Sequence, residues 1–342
     1  MSYHFKNLVF EGGGVKGIAY VGALQELEKR GILPNISRVG GTSAGAITAL
    51  LVGLNYSLTE IDTILRCLDF KKFLDDSGGV IRDGKRLLND FGWYKGDYFR
   101  NWIAGVVKEK TGNSESTFND IAGQKESKGF RDLSFVGTNL STKFGEVFSN
   151  EHTPRMVVAD AVRISMSIPL FFAAKRSFRG DVYVDGGVLD NYPVKLFDRE
   201  KYVDAGHATT PAYYQRHNDS LAAAGKDVSK YVFNQETLGF RLDSAKEIAV
   251  FRDHAEPDHE KIEDFFGYAK AFIGTVMDSQ DSMHLHSDDW QRTIYIDSLG
   301  VKTTDFKLSD QTKQALVDSG VAGVEAYFKW YDDGKSQPAN RP

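Results

Sequence analysis

Gly41-Thr42-Ser43-Ala44-Gly45 sits between a short alternating run, Ile36 to Val39, and the apolar run Ala46-Ile47-Thr48-Ala49-Leu50-Leu51-Val52. That order predicts a strand, a sharp turn and a buried helix. Gly-x-Ser-x-Gly at such a junction is the pattern of a nucleophile elbow. The glycines suit a cramped turn, because without a Cβ they permit strained dihedrals and a close approach of strand and helix. The serine would stand at the helix N-terminus, where unpaired N–H groups and the helix dipole favour negative charge. The same residues also fit a plain Gly-rich turn with a serine N-cap, and one short motif does not separate the two readings.

Upstream, Leu8-Val9-Phe10 reads as a buried strand running into Gly12-Gly13-Gly14-Val15-Lys16-Gly17. Ile18, Val21, Leu24 and Leu27 then recur at helical spacing up to Arg30, with Gly31 as the C-cap. Two strand-loop-helix units in succession predict an α/β fold with a mostly parallel central sheet flanked by helices. Sites in such sheets form at the carboxyl ends of the strands, where both loops would lie. The triple-glycine loop has three open readings. As a phosphate cradle it fits poorly: a dinucleotide fingerprint wants an acid at the end of a second strand, and Lys16 is followed by Gly17 instead of the Ser or Thr of a P-loop. It can be an oxyanion hole, with successive backbone N–H groups unobstructed by side chains, or only a tight turn.

Downstream, Leu58 to Asp69 predicts a helix with Leu58, Ile61, Ile64, Leu65 and Leu68 on one face. Asp75 to Gly96 reads as a surface excursion, and Tyr98 to Lys110 as an amphipathic helix. Ser134 to Thr138 and Glu146 to Phe148 pair as a hairpin. A helix is expected from Thr153-Pro154, ended by Pro169 and followed by Phe171 and Phe172, which are core residues or an apolar mouth for an acyl chain. Asp181 to Val184 is a strand closed by Asp185-Gly186-Gly187. Arg199 to Glu236 is polar with little periodicity and reads as a cap. Ala245 to Phe251 is a strand or a helix, Phe265 to Met277 an apolar amphipathic helix, and Thr293 to Asp297 a strand. Ser309 caps a last helix reaching Trp330. Without repeats or linkers, residues 1–335 form one domain, with its core at 5–195 and a capping insertion plus C-terminal strands and helix at 196–335.

The chain has 342 residues, an apolar fraction of 41%, a charged fraction of 26% and a formal net charge of −5. This is an ordinary globular composition that argues against nucleic-acid partners. The single cysteine, Cys67, lies in an apolar helical stretch and is expected to be buried. The first residues lack a basic and apolar leader, and no apolar run approaches the roughly 20 residues of a membrane span. Cytoplasmic synthesis is expected, with peripheral action at membranes and export by a signal-less route both compatible.

Acyl transfer needs a nucleophile, a base and oxyanion donors within a few ångströms. Ser43, Asp185 and the glycine loop supply candidates, each at a strand end. A triad would add a histidine after the acid. His207, His217, His254, His259, His284 and His286 follow Asp185, none in a sharp motif.

The trio Gly12-Gly13-Gly14-Val15-Lys16-Gly17, Gly41-Thr42-Ser43-Ala44-Gly45 and Asp185-Gly186-Gly187, in this order, resembles the patatin-like phospholipase family. Arg163-Ile164-Ser165-Met166-Ser167-Ile168-Pro169 resembles the segment that family carries before its aspartate. The likeness covers about Leu8 to Pro193 and, more loosely, Gly239-Phe240-Arg241 and the strand from Arg292 to Asp297. It implies a patatin-like three-layer architecture. It also implies Ser43 as nucleophile, Asp185 as base of a Ser-Asp dyad without histidine, and backbone N–H groups around Gly12, Gly13 and Gly14 as the oxyanion hole. Gly17, Gly41, Gly45, Gly186 and Gly187 complete the motifs. Many members carry arginine at Lys16, and lysine lacks that planar fork. The implied activity is calcium-independent hydrolysis of phospholipid or lysophospholipid acyl esters, with no metal or cofactor and with a protein activator unspecified. Rival readings are a lipid acyltransferase and an inactive phosphate-binding or interaction module on the same fold.

Overall fold

Strand β1 (Asn7–Phe10) lies between and parallel to β2 (Arg38–Gly41) and β11 (Thr237–Asp243). All four β1 residues are buried, as a strand covered on both faces requires. The computed structural model describes residues 3–69, 72, 91–177, 179–244, 256, 262–263, 265–278, 288–303 and 305–342. Within these, β12 (Thr293–Asp297) extends the parallel set beyond β11, and β4 (Asp132–Asn139) extends it beyond β2. Two strands then run the other way, β5 (Phe144–Ser149) and β8 (Val182–Asp185) against β4, and β7 (Lys175–Arg176), antiparallel to β8, runs again with β4. The order is β12-β11-β1-β2-β4-β8-β7, so the sheet is mixed but mostly parallel. A separate parallel pair joins β3 (Gly92–Tyr94) to β6 (Leu170–Phe172), and a short antiparallel one joins β9 (Ala208–Thr209) to β10 (Phe233–Asn234).

Helices cover both faces. α1 (Ala19–Lys29) follows a 3-10 turn at Gly14–Ile18, and α2 (Ala44–Gly53) follows β2. Every residue of α2 is buried, which explains its apolar composition all round. α3 (Leu58–Cys67) carries a Ser57–Glu60 capping box and buries Ile61 and Leu65. α4 (Asp97–Thr111) packs against α5 (Val158–Ser165). α6 (Ala212–Ala223) and α7 (Phe265–Asp278) come later, and α8 (Asp310–Tyr331) lies along α1. The α1–α8 crossing is close because it is built on small residues. A Cβ on Gly22 would lie 1.8 Å from the Val317 carbonyl oxygen, and one on Gly320 would lie 2.0 Å from that of Ala19.

Three local expectations are corrected. Cys67 is exposed, because it ends α3 two positions past Leu65, off the buried Ile61–Leu65 face. The helix expected from Thr153 begins at Val158. The carbonyls of Pro154 and Met156 are taken by the N–H groups of Asn119 and Phe118, which leaves 153–157 as a turn. The end of the 75–96 excursion is a strand, because Gly92–Tyr94 pairs with Leu170–Phe172. The polar cap at 199–236 contains a twelve-residue helix, α6, with Tyr214 as its buried residue; one buried position leaves too little periodicity to read. The segment at Ala245 to Phe251 lies outside the described residues.

Candidate active site

The sheet's register brings the three motifs together. Gly41 is level with Phe10 on one side and with Phe135 on the other, so the loops after β1 and β2 leave the sheet side by side. β4 runs on past that level to Asn139, and β8 returns down the overhang, placing Asp185 opposite Gly137. The acid therefore arrives on an antiparallel strand that ends just beyond the carboxyl end of β2.

Ser43 has φ 54° and ψ −123°, a left-handed backbone at a non-glycine residue. Such a conformation costs roughly 1–3 kcal/mol and persists only where surroundings enforce it. The enforcement is visible. A Cβ on Gly45 would lie 2.2 Å from the Phe10 carbonyl oxygen, so the elbow rests directly on β1. The Ser43 N–H donates to Ser165 Oγ at 3.0 Å, and the Thr42 hydroxyl donates to the Asp190 carbonyl at 2.9 Å.

Ser43 and Asp185 are both buried, and the Ser43 hydroxyl donates to Met166 Sδ at 3.3 Å. A thioether is a weak acceptor. Asp185 Oδ1 accepts the Gly187 N–H at 2.8 Å, and Oδ2 is buried without a hydrogen-bond partner among the described residues. Burial pushes the Asp185 carboxyl up to about 7, partly offset by the Gly187 N–H and by the nearby Ser43 hydroxyl. By strict geometry the hydroxyl belongs to Met166, yet it lies close enough to the carboxyl to act on its titration. Burial also raises Asp190 to about 7, with Lys195 opposing.

In the glycine loop, the Gly12 N–H donates to the Asn191 carbonyl at 3.0 Å, that of Val15 to Thr303 and that of Lys16 to Gly13. The N–H groups of Gly13 and Gly14 have no acceptor among the described residues. Gly12 instead packs against the elbow: a Cβ there would meet Ser43 Cβ at 3.0 Å. Lys16 Nζ donates to the Leu242 carbonyl at 3.1 Å, pinning the loop to β11. Gly186 passes under β4, where a Cβ would lie 2.4 Å from the Val136 carbonyl oxygen.

Residues 163–167 tie the two halves together. Arg163, fully buried, donates to the carbonyls of Gly96, Lys95 and Ala173 and to Ser167 Oγ. Ser165 receives the Ser43 N–H, Met166 the Ser43 hydroxyl, and the Ser167 carbonyl the Asp185 N–H at 2.8 Å. Sequence reasoning read this segment as a helix end and, by resemblance, as a family motif. Two polar residues flanking a methionine at a helix end are its signal, and nothing in their spacing says that they clamp Ser43 and Asp185.

Among the described histidines none contacts Ser43 or Asp185. His207 pairs with buried Glu236 just before β11, about 15 Å down the sheet from the glycine loop. His217 stacks edge-on with Tyr231. His254, His259, His284 and His286 lie outside the described residues. Asp204, His207 and Glu236 are the one described cluster with metal-ligand spacing, and they stand at the amino ends of the strands, away from Ser43.

A family model for patatin-like phospholipases matches residues 8–198, and the chain belongs to that family of lipid hydrolases. An uncharacterized protein of Acanthamoeba polyphaga mimivirus is 32% identical over 245 residues, 71% of this chain and 78% of that protein. The lysophospholipase of Candida glabrata is 30% identical over 190 residues, 55% of this chain but only 9% of that much longer protein. VipD from Legionella pneumophila shares the fold, with a TM-score of 0.62 over 96% of this chain and 67% of its own at 19% identity.

Proposed function

We propose that the chain hydrolyses acyl esters of phospholipids or lysophospholipids through a Ser43–Asp185 dyad, without calcium. One observation carries the reading: a fully buried carboxyl, raised to about 7, keeps one oxygen unpartnered beside a serine whose hydroxyl is held only by a thioether. Rotation about the Ser43 side chain would exchange Sδ for Oδ2. Ser43 Oγ then attacks the ester carbonyl carbon while Asp185 Oδ2 takes its proton. The oxyanion falls to the N–H groups of Gly13 and Gly14, and Gly12 serves packing. As the C–O bond to the alcohol breaks, Asp185 returns the proton to the leaving oxygen. Water repeats the cycle on the acyl-enzyme and frees the fatty acid. Family membership and the lysophospholipase relative support the lipid class.

The test has two arms. A fluorophosphonate should label Ser43 in the wild type and not in Ser43→Ala, and a lipid panel read by mass spectrometry should show fatty-acid release that survives EDTA. Ala variants at all eight histidines should keep near wild-type turnover of a soluble ester. One folded histidine variant reduced to the Ser43→Ala level would replace the dyad by a triad.

A further inference from the structure

A cavity of about 450 Å³ opens beside Ala44 of the elbow and Gly14 of the glycine loop, and no step proposed above places substrate in it. Gly14 and Gly17 of the glycine loop's 3-10 turn and Ala44 of α2 form its inner wall, while neither Ser43, Asp185 nor Met166 lines it. Buried Val15, Ile18, Ile47, Leu65 and Leu68 give the cavity an apolar side, with buried Thr48 among them. Arg66, Lys307 and Lys313 line it against one acid, Asp69, among the described residues. Arg66 Nε is bound to Asp62 and its NH2 to Gln314, and Lys313 Nζ donates to the Arg66 carbonyl and lies 3.8 Å from exposed Asp310. Lys307 is exposed with no ion pair among the described residues. Phe306 and Leu308 close the outer wall, and they lie beyond the residues matched to the family.

An apolar side next to cationic side chains fits an amphiphile with one chain and an anionic head. We propose that this cavity is a second lipid site, taking an anionic single-chain amphiphile with its tail inward and its carboxylate or phosphate at Lys307 and Lys313. The volume suits a long chain. It is about three times the roughly 150 Å³ of an apolar cavity that holds benzene. The tail's inner end would lie against Gly14 and Ala44, sharing a wall with the oxyanion loop without reaching the reacting atoms. The head would be a fatty-acid carboxylate or a lysophospholipid phosphate, both acceptors for a lysine ammonium.

Cys67, the sole cysteine, lines the cavity and is exposed, which makes it a reporter at the site itself. The experiment follows Cys67 alkylation by neutral iodoacetamide in Ser43→Ala protein, so that no turnover intervenes. Palmitate, 1-palmitoyl lysophosphatidate and hexadecanol are each added below their aggregation concentrations. At least one of the two anionic lipids should slow alkylation saturably by fivefold or more, and their relative potency identifies the head group. Lys307→Glu combined with Lys313→Glu should raise the half-protecting concentration about tenfold. Leu65→Trp should abolish protection by filling the interior; Leu308→Trp, nearer the surface, serves if Leu65→Trp does not fold. Protection by neither anionic lipid would overturn the site. Equal protection by hexadecanol, or protection indifferent to the double charge reversal, would overturn the anionic assignment. None of these readouts depends on hydrolysis, so failure here leaves the dyad standing and failure of the dyad leaves this site standing.

Discussion

Ser43 holds its left-handed backbone because Gly45, Ser165 and β1 leave it no alternative, and the first predictions belong to it and to Asp185. Ser43→Ala should abolish ester turnover while the circular-dichroism spectrum and urea midpoint stay near wild type, since removing one member of a catalytic unit removes its function. Retained turnover in folded protein would end the assignment. Asp185 must be ionised to act as base, so kcat/KM for a soluble ester should rise with pH through about 7 and then level off. Asp190 is raised to the same range, so Asp190→Asn is the control and should leave that inflection in place. The same carboxyl makes a stability prediction. Its pKa is higher folded than unfolded, so its contribution is fully present below about pH 4 and is lost as the pH climbs through 7. From an ordinary 3.8 to about 7 is worth about 4 kcal/mol at most. Asp185→Asn should therefore be inactive yet more stable than wild type at pH 8, with the gap closing toward pH 4 in urea titrations.

Two elements carry the site's geometry. The end of α5 holds Ser43 through Ser165 and Asp185 through Ser167, so one helix terminus fixes the two residues relative to each other. Ser165→Ala leaves the Ser43 N–H without its acceptor. It should lower kcat about tenfold, near 1.4 kcal/mol, with KM little changed and fluorophosphonate labelling slowed in proportion. A change confined to KM would show that Ser165 does not position the elbow. The second element is the α1–α8 crossing, where Gly22 and Gly320 meet opposing carbonyls. Gly320→Ala must push the helices apart, and overpacking of this kind costs about 1–3 kcal/mol. The urea midpoint should drop accordingly, and an unchanged midpoint would mean that the crossing relaxes freely.

At the scale of the molecule, no helix among the described residues is long and apolar enough to cross a membrane. A protein of net charge −5 lacks the means to seek anionic lipid by overall charge. Tyr268 and Phe272, stacked on α7, are 58% and 60% exposed, enough to present aromatic surface outward. They would let the protein meet lipid through local apolar contact. Binding to neutral phosphatidylcholine vesicles should depend weakly on salt. It should fall in Tyr268→Ser combined with Phe272→Ser, while hydrolysis of a soluble ester is unchanged. Binding that needs anionic lipid and collapses with salt would point elsewhere on the surface.

Local chemistry was legible from residues alone. The glycine spacing around Ser43, the apolar run behind it and the Asp185-Gly186-Gly187 turn each describe a few neighbouring residues, and short-range sterics decide their conformation. The family resemblance added an order to those pieces, and α1, α2, β4, β5, β8 and α8 follow from periodicity and caps. What no window of sequence contains is the register. Asp185 meets Ser43 only because β4 outruns β2 and β8 folds back antiparallel along the excess. β11 lies beside β1 although some 230 residues separate them, as its seven buried residues show no alternation to betray a face. Cys67 and the cavity beside the elbow were hidden for the same reason. Whether an apolar residue is covered depends on which distant element packs over it, and that is decided by long-range pairing in the assembled sheet, where burial is shared between segments that carry no mark of each other.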